Sequence, residues 1–183
     1  DRKAQHDAAE RVSGLFDRMS LLAGKIMEVQ QGAKTAAAKL PDGDALRGDL
    51  AQLADNADAL RKKIVATKEG GAITGEERLR EHMDFVYGAI MSVESRPTSY
   101  QLARVDALEH ELRDVESDFA ALSNGELATV NGRLKAKGME EIALVEPVLE
   151  PAGGGGEARA LASSLIGLHV FGTMIRPERA ERD

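Results

Sequence analysis

Apolar residues recur along this chain at alternating spacings of four and three, the rhythm that places side chains on one stripe of a helix. The first stripe is Ala8, Val12, Leu15, Met19, Leu22, Ile26, Val29 and Ala33, widened by Ala9, Phe16 and Ala23. Three further stripes follow: Leu46, Leu50, Leu53, Ala57, Leu60 and Ile64; then Leu79, Met83, Val86, Ile90 and Val93; then Val105, Leu108, Leu112, Val115, Phe119 and Leu122. Four amphipathic helices bury such stripes against one another, so the expected fold is all-α: an antiparallel four-helix bundle with long first and fourth helices and a flexible C-terminal tail.

Punctuation in the sequence sets the expected boundaries. The first helix is predicted from Lys3 to Lys39, stopping before Pro41 because a residue preceding proline is driven out of helical geometry. PDGD, Pro41 to Asp44, reads as a turn, with Asp44 capping a second helix that reaches Thr67 and carries an Asp58–Lys62 surface pair. Gly70 and Gly71 break the chain. Thr74 with Glu77 matches a capping box for a third helix from Gly75 to Glu94, and Thr98 with Gln101 matches another after Pro97. In the fourth helix the rhythm skips one residue after Leu122 and resumes at Leu127, Val130 and Leu134, which predicts a bulge at Asn124 and Gly125. Gly138 suits the helix end. At 1.5 Å per residue the first helix measures about 50 Å and the third about 30 Å, so the longer helices are expected to protrude or to pack against something else.

The predicted organisation is a bundle over 3–138, a Pro/Gly-rich linker over 139–158 and an apolar tail over 159–183. Within the tail, Ala160 to Ile175 is sixteen residues long and includes Ser163, Ser164, Gly167 and Gly172. That is short and polar for a membrane span, so a membrane is not an expected partner.

Charge and composition narrow the functional classes. The chain of 183 residues has 31 acidic against 24 basic residues and a net charge of −7 with no basic block, which argues against nucleic acid as a partner. The absence of cysteine excludes thiol catalysis and disulfides. HExxH, GxSxG, phosphate-loop and dinucleotide patterns are all missing, and the glycine run Gly153 to Gly156 has no following lysine. His6, His82, His110 and His169 are isolated, with His110 on an outer face and His82 bordering the stripe beside Met83. The neighbouring carboxylates Glu76 and Glu77, Glu109 and Glu111, and Glu140 and Glu141 read as solvated faces or helix starts, and Asp42 and Asp44 as a turn and cap rather than a calcium loop. Tyr87 and Tyr100 are expected to pack near the stripes with their hydroxyls in water. No catalytic, cofactor-binding or metal-binding residue is therefore assigned.

Two segments carry a family resemblance. LREHMDFVYGAIMSVESRPTSYQ, Leu79 to Gln101, and LEHELRDVESDFAALSNGELATVNGRLKAKGMEEI, Leu108 to Ile142, contain an LxxxMxxVYG helix, an RPT turn at Arg96 to Thr98 and an ELxxxN stretch at Glu126 to Asn131. The chain over residues 5–145 resembles the helical C-terminal region of bacterial propeller proteins with sortilin-like or bacterial-neuraminidase (Asp-box) repeats, often labelled glycosyl hydrolases. The resemblance implies a non-catalytic accessory and packing module that stabilises or dimerises such a protein, with an upstream β-propeller of the same protein or a second copy of the bundle as partner. It also implies a periplasmic or secreted bacterial location, and places any hydrolase chemistry in the propeller, since this chain has no SxDxGxTW segment. The alternative from a different class is a sensory or adaptor bundle of chemoreceptor type. GGAITGEE, Gly70 to Glu77, and the sequence after Pro151 depart from the family pattern.

Overall fold

A computed structural model of the chain describes residues 1–66, 77–92 and 94–144. Among them every regular element is helical: α1 (Arg2–Ala38), α2 (Ala45–Ile64), α3 (Leu79–Met91), α4 (Ser99–Leu122), a π-helical turn (Ser123–Leu127) and α5 (Ala128–Ala136), which continues α4. The protein is all-α. The expectations placed on Thr67, Gly70, Gly71, Thr74, Val93, Gly153 to Gly156, His169 and the tail lie outside the described residues.

The apolar stripes are the core. Every stripe residue among the described ones is buried except Phe16, which is partly buried against the core: Ala8 to Ala33 in α1, Leu46 to Ile64 in α2, Leu79 to Ile90 in α3 and Val105 to Leu122 in α4, then Leu127, Val130 and Leu134 beyond. Each fully buried leucine or isoleucine contributes roughly 1.5–3 kcal/mol relative to exposure. No described polar or charged residue is buried as a whole.

Helix ends follow local chemistry. Asp44 caps α2 by accepting the Leu46 N–H at 2.9 Å, and Gly43 before it takes φ +88°, a left-handed turn position that suits glycine. Thr98 and Gln101 form the expected reciprocal box, with the Gln101 N–H donating to Thr98 Oγ1 at 3.2 Å and the Thr98 N–H to Gln101 Oε1 at 2.8 Å. Gln101 Nε2 also donates to the Ala89 carbonyl at 3.0 Å, tying the end of α3 to the start of α4. Thr98→Ala is expected to cost about 1 kcal/mol of stability in a urea titration, and an unchanged midpoint would show that the box is ornamental.

The third helix departs from expectation. It starts at Leu79, four residues later than predicted, because Glu81 reaches back to accept the Arg78 N–H at 3.0 Å. Glu77 therefore precedes the helix. It lies 3.2 Å from His82 Nε2. The same helix ends at Met91 rather than Glu94, where the Ser92 hydroxyl donates to the Ala89 carbonyl at 3.0 Å. The second helix stops at Ile64, since Val65 is extended.

Long helices find cover along their length. Near its start, α1 meets α3: Gln5 Nε2 donates to the Ile90 carbonyl at 2.8 Å and Phe16 stands edge-on to Tyr87 at 6.5 Å. Further on, α1 meets α2, with Gln30 Nε2 donating to Asp58 Oδ1 at 3.0 Å. Together α2 and α3 supply about 50 Å of helix against about 55 Å in α1. Burial accordingly reaches from Ala8 to Ala36, so of the two expectations for α1, protrusion or packing of its extra length, α1 shows packing, against α2 and α3.

Candidate functional site

Two polar ladders and one clamp hold the helices in register. On α1, Arg11 and Arg18 are seven residues apart, as are Glu109 and Glu116 on α4. Arg11 Nη1 lies 2.7 Å from Asp106, and its other terminal nitrogen binds Glu109. Arg18 forks onto Glu116 at 2.8 and 3.1 Å and approaches Glu109 at 3.8 Å, while Arg113 meets Glu109 at 3.2 Å. Residue numbers thus rise together on both helices, so α1 and α4 run in the same direction. Hydrogen bonding from Arg11 above all holds the Glu109 carboxyl below its ordinary range. Glu109 is not the solvated surface acid of the sequence reading but the hub of this seam.

The second ladder runs between α2 and the α4–α5 column. Lys63 binds Asp118 at 2.8 Å, Asn56 donates to Glu126 at 2.7 Å, Arg133 binds Asp49, and Lys137 binds Asp44 at 2.6 Å. Numbers fall on one side as they rise on the other, so these helices are opposed. On α2 the first three partners, Asp49, Asn56 and Lys63, step by seven. Opposite them, Arg133 and Glu126 step by seven, but Glu126 and Asp118 by eight. The π-helical turn lies between those two, absorbing one extra residue so that both the ladder and the apolar stripe resume in register. It sits where the skipped rhythm placed the bulge. Its widened backbone is braced by the Thr129 hydroxyl, which donates to the Gly125 carbonyl at 2.9 Å.

Beside this turn lies an open depression of about 320 Å³, floored by Leu60, Ala121 and Leu122 and edged by Asn56, Asp118 and Glu126. Asp118 is already answered by Lys63, and Glu126 by Asn56. The buried Ser123 hydroxyl has no hydrogen-bond partner among the described residues.

A clamp follows α5. Gly138, at φ +69°, ends the helix as expected, and the chain turns back so that Ile142 is buried against Gly32 of α1. Asn131 fixes it from both sides: the Ile142 N–H donates to Asn131 Oδ1 at 2.8 Å, and Asn131 Nδ2 donates to the Ile142 carbonyl at 3.0 Å. Composition assigned Ile142 to a linker starting at Met139. Its packing instead makes the start of that segment part of the core.

The remaining candidates are scattered. Asp58 binds Lys62 at 2.7 Å, as expected, and also Arg61 at 2.9 Å. His6 and His110 are exposed, and His82 is partly buried at the rim of the core with its Nδ1 unpartnered. Among the described residues no group of three or more histidines, aspartates or glutamates is placed to hold a metal, and no helix is long and apolar enough to cross a membrane. Compared with models of protein families, with curated proteins and with solved structures, the chain finds no match in any of the three.

Asp58 makes stability depend on acid. The hydrogen bond from Lys62, joined by Arg61 and Gln30, lowers the Asp58 carboxyl from 3.8 to about 2. A carboxyl that releases its proton more readily when folded stabilises the fold above its unfolded value, and that contribution fades as pH drops through the folded value. Stability is therefore expected to fall between about pH 4 and pH 2, with Asp58 supplying on the order of 1 kcal/mol of the loss after solvent screening. Asp58→Asn should flatten that part of the profile in urea titrations run across the window. An unchanged slope would remove Asp58 from the account.

Proposed function

We propose that this chain is a non-catalytic accessory and packing module of a bacterial propeller protein of the sortilin-like or Asp-box-repeat kind, stabilising or dimerising the protein to which it belongs. The observation that carries the reading is the commitment of polar side chains to helix–helix pairing: Arg11, Arg18, Glu109, Glu116, Lys63, Asp118 and Arg133 all face an answering group on another helix. Groups used in this way set register and leave little poised for a substrate. The resemblance of Leu79 to Gln101 and Leu108 to Ile142 to the helical C-terminal region of that family supplies the identity of the larger protein.

We further infer the arrangement of the bundle. With α1 and α4–α5 running in the same direction, and α2 opposed to α4–α5, the pairings favour a bundle three helices thick. In it α2 and α3 stand in tandem as the interrupted middle column, in place of four helices side by side. Such a bundle offers long outer faces, which suits a spacer or docking element.

The test is light scattering of the chain alone and mixed with the polypeptide encoded immediately upstream of Asp1. A complex, or a joint rise in melting temperature, is the expected result. Indifference of the two to one another would overturn the propeller assignment.

A further inference from the structure

Irregularities in all three columns of the bundle fall at one level. The pairs Arg11 with Glu109 and Arg18 with Glu116 are each 98 residues apart, and because α1 and α4 run in the same direction that offset carries along both helices. It brings Gly24 of α1 level with Leu122, the last residue of α4 before the π-helical turn at Ser123–Leu127. The end of α2 arrives at nearly the same place. Lys63 binds Asp118 at 2.8 Å, α2 stops at Ile64 with Val65 extended, and α3 starts at Leu79. From Asp118 to Leu127 the column advances about 14 Å, against about 55 Å for the whole of α1.

Packing is loose at this level too. The depression of about 320 Å³ floored by Leu60, Ala121 and Leu122 opens here. The Ser123 hydroxyl is buried with no partner among the described residues, a cost that folded proteins ordinarily avoid. Each column is weakened in its own way. A β-carbon on Gly24 would meet no atom within 4 Å, so no close approach demands glycine there, yet glycine makes the helix about 1 kcal/mol easier to unwind than alanine does. The π-helical turn carries a surplus residue, and helix kinks concentrate at such turns. The middle column brings no helix across the level among the described residues, since α2 has ended and α3 has not begun.

We propose that the bundle has a hinge at this level. The half holding α3 and the start of α4 bends against the half holding α2 and α5, with α1 flexing at Gly24 and the third column at Ser123–Leu127. Each half moves as a packed unit because it keeps its own polar ties. Arg11 and Arg18 bind α4 on one side of the level, and Arg133 with Asp49 and Lys137 with Asp44 close the other. In a packing module such a hinge lets the two ends meet their partners at different angles. The inference rests on the three-column arrangement and does not need the propeller assignment.

The chain has no cysteine, so a pair of introduced cysteines can carry spin labels without interference. Gln52→Cys on α2 and Asp84→Cys on α3, both at exposed positions, set labels on either side of the level in the full chain, and pulsed dipolar spectroscopy reads the spread of distances between them. With columns about 10 Å apart, a bend of about 20–30° in α1 changes that distance by about 4–5 Å. The labelled chain is expected to show a spread at least about twofold wider than the same chain with Gly24→Ala and Gly125 deleted, in which both outer columns are plain α-helix. Gly24→Ala alone should narrow the spread in part, which keeps the test intact if the deletion impairs folding. Gly14→Ala is the control. It fills another open glycine of α1, ten residues before Gly24, and should leave the spread unchanged. A spread already narrow in the labelled chain overturns the hinge, and so does equal narrowing by Gly14→Ala, which would make the motion a general softness of α1. A second pair, Lys3→Cys with Ala103→Cys, checks the arrangement by itself. A short distance there with a narrow spread between residues 52 and 84 sinks only the hinge, whereas a long distance sinks the three columns and the hinge with them.

Discussion

A chain lacking Gly125 is expected to fold at least as stably as the natural one, whereas a chain lacking both Asn124 and Gly125 should lose on the order of 5 kcal/mol. Removing one residue from the middle of a helix ordinarily rotates everything beyond it by about 100°. At Gly125 the surplus residue of the π-helical turn is what disappears. The stripe then reads Phe119, Leu122 and the residues now numbered Leu127, Val130 and Leu134 at continuous spacings of three and four, all in plain α-helix. The ladder responds in the same way. Asp118, Glu126 and Arg133 acquire the spacing of Lys63, Asn56 and Asp49. Taking out Asn124 as well has no surplus to draw on. Leu127, Val130 and Leu134, all buried in the natural chain, swing off the core face together with Glu126 and Arg133. Thermal and urea unfolding followed by circular dichroism compares the three chains directly. If the single deletion proves as damaging as the double one, the turn is not a register device, and its wide backbone must be retained for another reason.

That turn was legible because hydrophobic rhythm is local: one skipped position after Leu122 is enough to predict it. The stripes were legible for the same reason, and their described members are buried apart from the partly covered Phe16. The start of α3 was misread because Thr74 with Glu77 is the stronger-looking signature, while the group that works, Glu81, accepts the Arg78 backbone N–H. Neighbour relations were not legible. Four similar stripes are equally content with several pairings, and nothing in a heptad says that α1 should meet α3 along one half and α2 along the other. The seven-residue spacing shared by Arg11 with Arg18 and by Glu109 with Glu116 was visible, and it was the available clue to a seam between two helices running in the same direction. Ile142 was hidden by its surroundings: a single apolar residue has no period, and the nearby prolines and glycines read as linker.

A variant at Arg18, which forks onto Glu116 between two helices, is expected to lower stability more than one at Arg104, whose contact with Glu111 lies within a single helix and contributes about 1 kcal/mol or less.

Replacing Gly32 by leucine is expected to destabilise the fold by about 2–3 kcal/mol, and the loss should largely vanish when Ile142 is replaced by alanine. A β-carbon on residue 32 would stand 2.6 Å from Ile142 Cγ2, inside contact distance, with two further Ile142 atoms at 3.4 and 3.5 Å. Ile142 cannot step aside cheaply, since Asn131 holds both its N–H and its carbonyl. A leucine therefore expels the isoleucine side chain, breaks both hydrogen bonds and exposes a residue that is 8% accessible in the natural fold. Ile142→Ala removes the obstructing atoms while keeping the backbone clamp, so the leucine at 32 can occupy the vacated space. The double-mutant cycle should show a favourable coupling of about 1–2 kcal/mol, the mark of two residues competing for one volume. Asn131→Ala should reduce that coupling, because a released backbone lets Ile142 move away on its own. Strictly additive effects would mean that residues 139–144 do not press on α1 in solution, and the core would then end with α5.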